Sequence, residues 1–596
     1  NTGRDRGRNF LVTTDLDMSA YYWTPIGTSS TDSFYGTFDG GGFEISGIYV
    51  GTESSPVEYA GLFGHEAEIA SYSTNRIIIK NIVLRDSVIF GQGVTGSIIA
   101  GGTLDVNDSG LDWSQVYMTI SNCISYAEIY AFGGSAGGIV GLGYATVVEN
   151  CVNNSTITDM ENKGSNFGGI IRRLYGGRVE NSVNNSPLTA DCIGSGGGNI
   201  ANGVGTGGIS GYTVGIITGC INNGQITGIY VGGISGTGGT ISKCANYGEI
   251  VGDCVAGGIV GTNSAVVILM ANIDITGGDS SIYIYYVSGD VKNCYNRGNV
   301  TVGADAFSYA VAGGIVGFTT SAGATMISVG SEETIIPDDV INITNNYNAA
   351  TVTNLFDSGN VGGILGAVEG DGGSTSGDSL TLAPLKFINN FNLGSVTNSG
   401  ASGASGAIVG NINYGDIEIS KNYWGGDASS SLAGVGAETA DSLVVDASYL
   451  DTIADLAKTQ DWYTNESNWN SSEPWNFTSV WTIDPEQNGG YPIIIIEEAT
   501  YWTDEGVRGA AFAGGDGTED KPYQISNGAE LAYLSYMTSS GTHYEDTYFI
   551  QTQNIDLSGH LWDPIDNFFG HYDGQNFEIT NLATPTFVEG SIDEED

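Results

Sequence analysis

An all-β chain wound as a parallel β-helix (β-solenoid) of about 25-residue coils is the architecture this sequence predicts. Three observations lead there. A block Gly-Gly-Ile-x-Gly recurs at Gly137–Gly141, Gly207–Gly211, Gly232–Gly236, Gly257–Gly261, Gly313–Gly317 and Gly362–Gly366, with degenerate copies at Gly168–Ile171 and Gly406–Gly410. A second block, apolar-x-x-Cys-x-Asn-x-Gly-x-apolar, recurs beside it at Val148–Ile157, Ile217–Ile226, Ile241–Ile250 and Val291–Val300, with looser copies at Ile120–Ile129, Val179–Leu188, Ile343–Val352 and Phe387–Val396. Between them the apolar residues alternate with period two and are bounded by Gly and Asn, and no stretch of helical period is long enough for a βαβ unit. Each coil then pairs with the next at about 4.8 Å, so equivalent residues stack in columns.

The repeat array is expected to fill 1–429, with 430–497 closing it. Where the interval between blocks lengthens, segments 266–290, 318–341 and 367–386 are expected to be an extra coil or a projecting loop. The chain then restarts over 498–596: Phe568–Leu582 repeats Phe34–Ile48 almost position for position, and Asp556, Trp562, Pro564 and Ile565 match Asp17, Trp23, Pro25 and Ile26. The second copy has a lead-in, Gly514–Met537, which the first lacks. There Asn527 and Glu530 form a capping box, with Leu531, Leu534 and Met537 on one face, which predicts a small helix capping the start of the second unit.

Two columns stand out. Asn153, Asn184, Asn222, Asn246, Asn296, Asn348 and Asn392 occupy one aligned position, with Ser125 in the eighth copy. Stacked amides bond their neighbours above and below, and Asn tolerates a left-handed turn backbone. A residue used seven times is scaffolding, since a catalytic residue would occur once. Cys123, Cys151, Cys220, Cys244 and Cys294 share a second column, where other copies carry Ser182, Asn346 and Asn390. With seven cysteines and no Cys-x-x-Cys pair, small buried thiols are expected rather than zinc or a complete disulfide set.

Charge excludes several functions. The 596 residues include 18 Lys+Arg against 67 Asp+Glu, a formal net charge of −49, which leaves no basic footprint for nucleic acid or anionic membranes. No run of about 18 apolar residues is present to span a bilayer. No secretory leader is visible; the chain starts at Asn1, and processing or truncation is expected to account for that. No motif requires a cofactor. Structural calcium has two weak candidates: Asp105, Asn107 and Ser109, a loop that lacks the acid at its twelfth position, and Asp516, Glu519 and Asp520 in a glycine loop. Arg172, Arg173 and Arg178 interrupt one degenerate repeat, where they either form a salt-bridged face or grip a carboxylate or sulfate. Two readings of the restart over 498–596 stand: the chain is a piece of a longer tandem array, or the second unit docks on a neighbouring copy. Arg4, Arg6 and Arg8 at one terminus oppose Asp593, Glu594, Glu595 and Asp596 at the other, a pairing that suits such head-to-tail contact.

The segment Phe34–Ile48 followed by Gly61-Leu62-Phe63-Gly64, together with the later Gly-Gly-Ile-Val-Gly blocks, resembles the GLUG-motif repeat proteins, bacterial surface or secreted proteins with glycine-rich arrays. The stretch through Trp462-Tyr463 and Trp481–Pro492 resembles the closing segment of such arrays. The resemblance implies a structural or adhesive role outside the cell, without a shared catalytic site. The expected function is therefore an extracellular or cell-surface β-solenoid, a non-enzymatic filament or matrix subunit whose partners are itself or other surface components. The alternative is a carbohydrate-binding or polysaccharide-degrading β-helix, but the sequence holds no Gly-Asp-Asp, Gly-His-Gly or Arg-Ile-Lys motif of the pectin hydrolases.

Overall fold

The computed structural model describes residues 8–29, 32–65, 76–101, 116–160, 166–190, 205–263, 265–273, 280–287, 289–303, 310–320, 340–369, 384–400, 402–413, 416–425, 431–438, 445–495, 502–503, 506–557, 560, 562, 565, 568–580 and 582. The chain forms two compact units, Asn1–Ile495 and Ile496–Asp596.

The first unit is a parallel β-solenoid with two long sheets. One climbs through strands Gly36–Asp39, Ile77–Lys80, Met118–Ser121, Val140–Glu149, Ile171–Glu180 and Ser210–Thr218, and on to Ile417–Trp424 and Val445–Tyr449. The other climbs through Val88–Thr95, Glu128–Ala131, Thr156–Asp159, Leu188–Thr189, Ile226–Gly232 and Ile250–Gly257 to Val396–Asn398. Every one of these pairings is parallel, the signature of coils stacked in register. Coil length is not uniform. Consecutive ladder asparagines are 24 residues apart from Asn222 to Asn246 but 52 apart from Asn296 to Asn348. The surplus leaves the stack. Ala265–Ile273 and Ser280–Val287 form an antiparallel hairpin, so the first of the expected insertions projects rather than adding a coil. Most of 318–341 and 367–386 lies outside the described residues.

The Gly-Gly-Ile-x-Gly block is the corner that joins one sheet to the other. Its isoleucine points inward: Ile139, Ile170, Ile209, Ile234, Ile259, Ile315, Ile364 and Ile408 are wholly buried in one core column. Its glycines permit backbone contact. A Cβ at Gly257 would lie 1.8 Å from the Val260 oxygen, and one at Gly258 would lie 2.0 Å from the Gly314 oxygen in the next coil. The left-handed backbone sits elsewhere than expected. It falls on the residue just before the Cys column, at Asn122, Asn150, Asn181, Gly219, Lys243, Asn293, Asn345 and Asn389, while the ladder asparagines themselves lie in extended strands. The reason is local. The chain takes up a left-handed φ two residues before the short strand that carries the ladder, and Asn or Gly meets that φ at least cost.

The segment 445–495 does more than end the array. After short helices at Ile453–Leu456 and Gln460–Thr464, it runs back along the flank of the coils. Trp462, Tyr463, Trp469, Trp475 and Trp481 pack there on Tyr295, Tyr347 and Phe391, whose rings stack 5.2 and 4.9 Å apart in adjacent coils. Polar contacts fix its course. Trp481 Nε1 donates to Asn293 Oδ1 at 3.2 Å, and Asn389 exchanges bonds with Asn470, donating Nδ2 to its oxygen at 3.1 Å and accepting its N–H at 2.7 Å.

The second unit is the beginning of another solenoid. Tyr548–Gln551 and Ile555–Asp556 pair with His571–Asp573 and Ile579–Thr580, repeating the pairing of Phe10–Leu11 and Leu16–Asp17 with Gly36–Asp39 and Glu44–Ser46. The lead-in adds a strand, Tyr523–Ile525, ahead of Tyr548–Gln551, and a helix at Gly528–Ser539. Asn527 caps that helix, accepting from the Glu530 N–H at 3.0 Å. Glu530 reaches back to the Ser526 N–H, one residue earlier than in an ideal capping box. Leu531, Ala532 and Leu534 bury the helix against Phe549 and Trp562.

Candidate functional site: axial ladders and an arginine–tyrosine corner

The asparagine column is continuous. Nδ2 of each residue donates to Oδ1 of the next, from Asn153 to Asn184, Asn222, Asn246, Asn296, Asn348 and Asn392, at 2.8–2.9 Å. The second Nδ2 hydrogen goes to a carbonyl two residues on, as from Asn222 to Gly224 and from Asn246 to Gly248, both at 2.8 Å. Oδ1 also accepts the backbone N–H two residues on, at 3.1 Å from Gly298 to Asn296. The amides are wholly buried and bonded along the axis and within their own coil, the condition under which a buried polar network stiffens a core rather than weakening it. At the top, Asn392 donates to the oxygens of Gly394 and Ala407 instead. At the bottom, the column continues into Ser125, whose Oγ accepts from Ser155 Oγ at 2.7 Å.

The cysteine column becomes a second ladder as it rises. Cys123, Cys151, Cys220, Cys244 and Cys294 are buried free thiols. Each of the five donates weakly to a carbonyl two residues back, as Cys244 does to Ser242 at 3.1 Å. Burial pushes the thiols of Cys151, Cys220 and Cys244 well above the ordinary thiol range, which leaves them inert. Above Cys294 the column turns to amides: Asn346 donates to Asn390 at 3.1 Å and Asn390 to Asn422 at 3.0 Å. Asn346 and Asn390 were visible in the sequence as substitutions for Cys, but their relay, and its end at Asn422, follow only from the stacking. Shorter ladders run outside the core from Asn223 through Asn185 to Asn154, and beside it from Asn354 to Asn398.

The corner around Arg172 departs from the repeat. Its neighbours in register are Gly141 and Gly211, so this coil carries an arginine where the flanking coils carry the closing glycine of the block. Arg173 lies between Leu142 and Tyr212 in its column. Its guanidinium stands 5.7 Å from the centre of the Tyr212 ring, and its Nη1 donates to the Tyr175 hydroxyl at 3.4 Å. Tyr175 stacks on Tyr144 at 5.3 Å. Arg178 is accounted for by Glu180, at 2.9 Å.

The remaining sequence candidates do not converge. Asp516 Oδ1 accepts from the Thr518 hydroxyl at 2.8 Å and its other oxygen pairs with Lys521 at 3.6 Å, so this loop supplies its own cation; Glu519 and Asp520 lie on the same exposed loop. Among the described residues, no group of three or more His, Cys, Asp or Glu is placed to hold a metal ion. Asp105, Asn107 and Ser109 lie outside the described residues, as do Arg4, Arg6 and Asp593–Asp596; Arg8 is described and exposed. Among the described residues, no helix is long and apolar enough to cross a membrane.

Comparison with known proteins adds little to the geometry. No family model matches the chain. A stretch of 100 residues is 33% identical to a protein of Evansella cellulosilytica provisionally named a Gly-rich membrane protein, covering 15% of this chain and 11% of that one. The chain thus spans about a ninth of the length of that relative. Among solved structures, a chain from Bacteroides ovatus provisionally described as an immunoglobulin A1 protease superposes with a TM-score of 0.31 at 23% identity, over 42% of this chain and 70% of that one.

Proposed function

We propose that the chain is a structural or adhesive element of the cell surface or extracellular matrix, in which the first unit serves as a stiff spacer. The observation that carries this reading is the unbroken buried amide ladder from Asn153 to Asn392, a device repeated in every coil it crosses and spent on axial cohesion. The aromatic segment clamped along the flank and a net charge of −49, which keeps such rods apart in solution, support the same role. A setting outside the cell is part of the proposal; it is supported by the resemblance of the repeats to GLUG motifs and by the likeness of 100 residues to the Gly-rich membrane protein of E. cellulosilytica. On this reading the chain catalyses nothing itself, and its partners are further copies or other surface components.

Electron microscopy of the native, untagged protein, with antibody labelling of intact cells, tests the proposal. Surface label on rods or fibres is the expected result. If copies join head to tail, Arg4/Arg6/Arg8→Glu shortens the fibres. Purely intracellular label, or turnover of a polysaccharide panel by the purified chain, would overturn it.

A further inference from the structure

We propose that the corner formed by Arg172, Arg173, Tyr144 and Tyr175 is a binding subsite for an acidic sugar, which it grips through a single carboxylate. The inference does not rest on the spacer role. Its first support is that the repeat is broken at a cost. The position of Arg172 is glycine in the coils on either side, where a Cβ at Gly141 would meet the Ala100 oxygen at 2.4 Å. A chain with 18 basic residues has placed two of them side by side at a corner where the flanking coils carry glycine at the Arg172 position.

The second support is an unmet demand. Nε of Arg172 is out of solvent and has no hydrogen-bond partner. On the same corner, the wholly buried Asn166 has a partner for neither of its amide atoms. Burial, followed by the neighbouring Arg173 guanidinium, pushes the Arg172 pKa down, and the tyrosines Tyr175 and Tyr144 offset this only in part. A carboxylate seated between the two guanidinium groups relieves both penalties, and the planar fork of arginine matches its two oxygens.

The third support concerns what surrounds the charge. Tyr144 and Tyr175 are stacked with their planes 14° apart, which covers the faces they turn to each other, and Tyr212 lies tilted against Tyr175 at 5.7 Å. Phenolic hydroxyls beside a cationic pair suit a ligand that carries neutral hydroxyls next to one carboxylate, which is the chemistry of a uronic acid. The chain's net charge of −49 disfavours a densely charged polyanion and tolerates a sparsely charged glycan.

The test uses the full chain and a glucuronate-terminated disaccharide, followed by saturation-transfer NMR and titration calorimetry. The comparison probes are the matching neutral glucose disaccharide, its 6-sulfated analogue and acetate. The variants are Arg172→Gly, which restores the repeat glycine, and Arg172→Gly/Arg173→Leu, which copies the neighbouring coil; both are expected to fold, with an unchanged or raised melting temperature. Wild type should bind the glucuronate disaccharide in a salt-dependent way and the neutral one not at all. Each variant should lose affinity by on the order of tenfold or more, while Arg178→Gln, whose charge is already paired, should bind as wild type does. Failure of wild type to bind, equal binding by the folded variants, or equal binding of the neutral sugar would overturn the site. Acetate binding as tightly as the disaccharide would overturn the sugar, and preference for the sulfated analogue would overturn the carboxylate.

Discussion

Cutting the asparagine ladder at one rung should be among the most damaging small changes this chain can suffer. Asn246 is the informative rung: it accepts from Asn222 and donates to Asn296 and to the Gly248 carbonyl, all at 2.8 Å, with no exposed surface. Asn246→Ala removes three hydrogen bonds at about 1 kcal/mol each and leaves at least one buried polar group unsatisfied at about 1–3 kcal/mol. The expected loss is roughly 4–6 kcal/mol, a large part of the ~5–15 kcal/mol that holds a typical domain together. Asn246→Asp is the sharper probe because its shape is nearly unchanged. An ionised carboxylate turns an acceptor toward Asn296 Oδ1 and the Gly248 oxygen and buries an unpaired charge, so it must cost more than alanine at neutral pH. The aspartate pKa is raised by burial and by these acceptors, so the gap between Asp and Ala should close as pH falls and the acid protonates. The assay is urea unfolding of the full chain, followed by circular dichroism and by the fluorescence of the tryptophan-rich closing segment. A loss below about 1 kcal/mol for Asn246→Ala, against the ~1–3 kcal/mol expected for a single buried orphan, or an aspartate no worse than alanine, would refute the reasoning.

Four further outcomes are expected. Burial, reinforced by the neighbouring Glu180, raises the pKa of Glu149 in the folded state. A raised acid contributes stability below its unfolded pKa and loses it as pH rises through the folded value, so Glu149→Gln should raise the melting temperature at pH 7 and have no effect near pH 3. Trp481→Ala should cost about 3–5 kcal/mol, because Trp481 is, among the described residues, the largest wholly buried side chain and its indole N–H holds Asn293; thermal melts of the full chain read this. Gly258→Ala should prevent folding, since its Cβ would meet the Gly314 oxygen at 2.0 Å, whereas Gly541→Ala, with nothing within 4 Å but a φ of +94°, should cost only about 1 kcal/mol; soluble yield and melting temperature separate the two. Cys220 and Cys244 should resist iodoacetamide at pH 8 until denaturant is added, as mass spectrometry of the labelled peptides would show.

The fold was legible because the repeat is written in residue types that have few alternative uses. A glycine pair before a buried isoleucine, and an asparagine two residues after a cysteine, recur at spacings that a solenoid satisfies coil by coil, and the columns those repeats define are the columns found in space. The left-handed backbone was misplaced by three residues because Asn occurs at both positions, and composition cannot say which one turns the chain. The flank-hugging course of 445–495 was also hidden. Its tryptophans announce burial, but the partners Tyr295, Tyr347 and Phe391 occupy a position that other coils fill with Val, Ile or Ala. The corner at Arg172 was visible as a basic cluster, but its orphaned Nε and its glycine-lined surroundings emerge only when neighbouring coils are superposed.

Native-state hydrogen exchange along the first unit tests the central claim most directly, because it asks whether the amide ladder makes the coils open together. Among the described residues, the backbone amides of the solenoid strands between Val148 and Trp424 should share one high protection level in wild type, and Asn246→Ala should split them into two blocks divided at that rung. Coils that exchange independently in wild type, or a profile unchanged by Asn246→Ala, would contradict it.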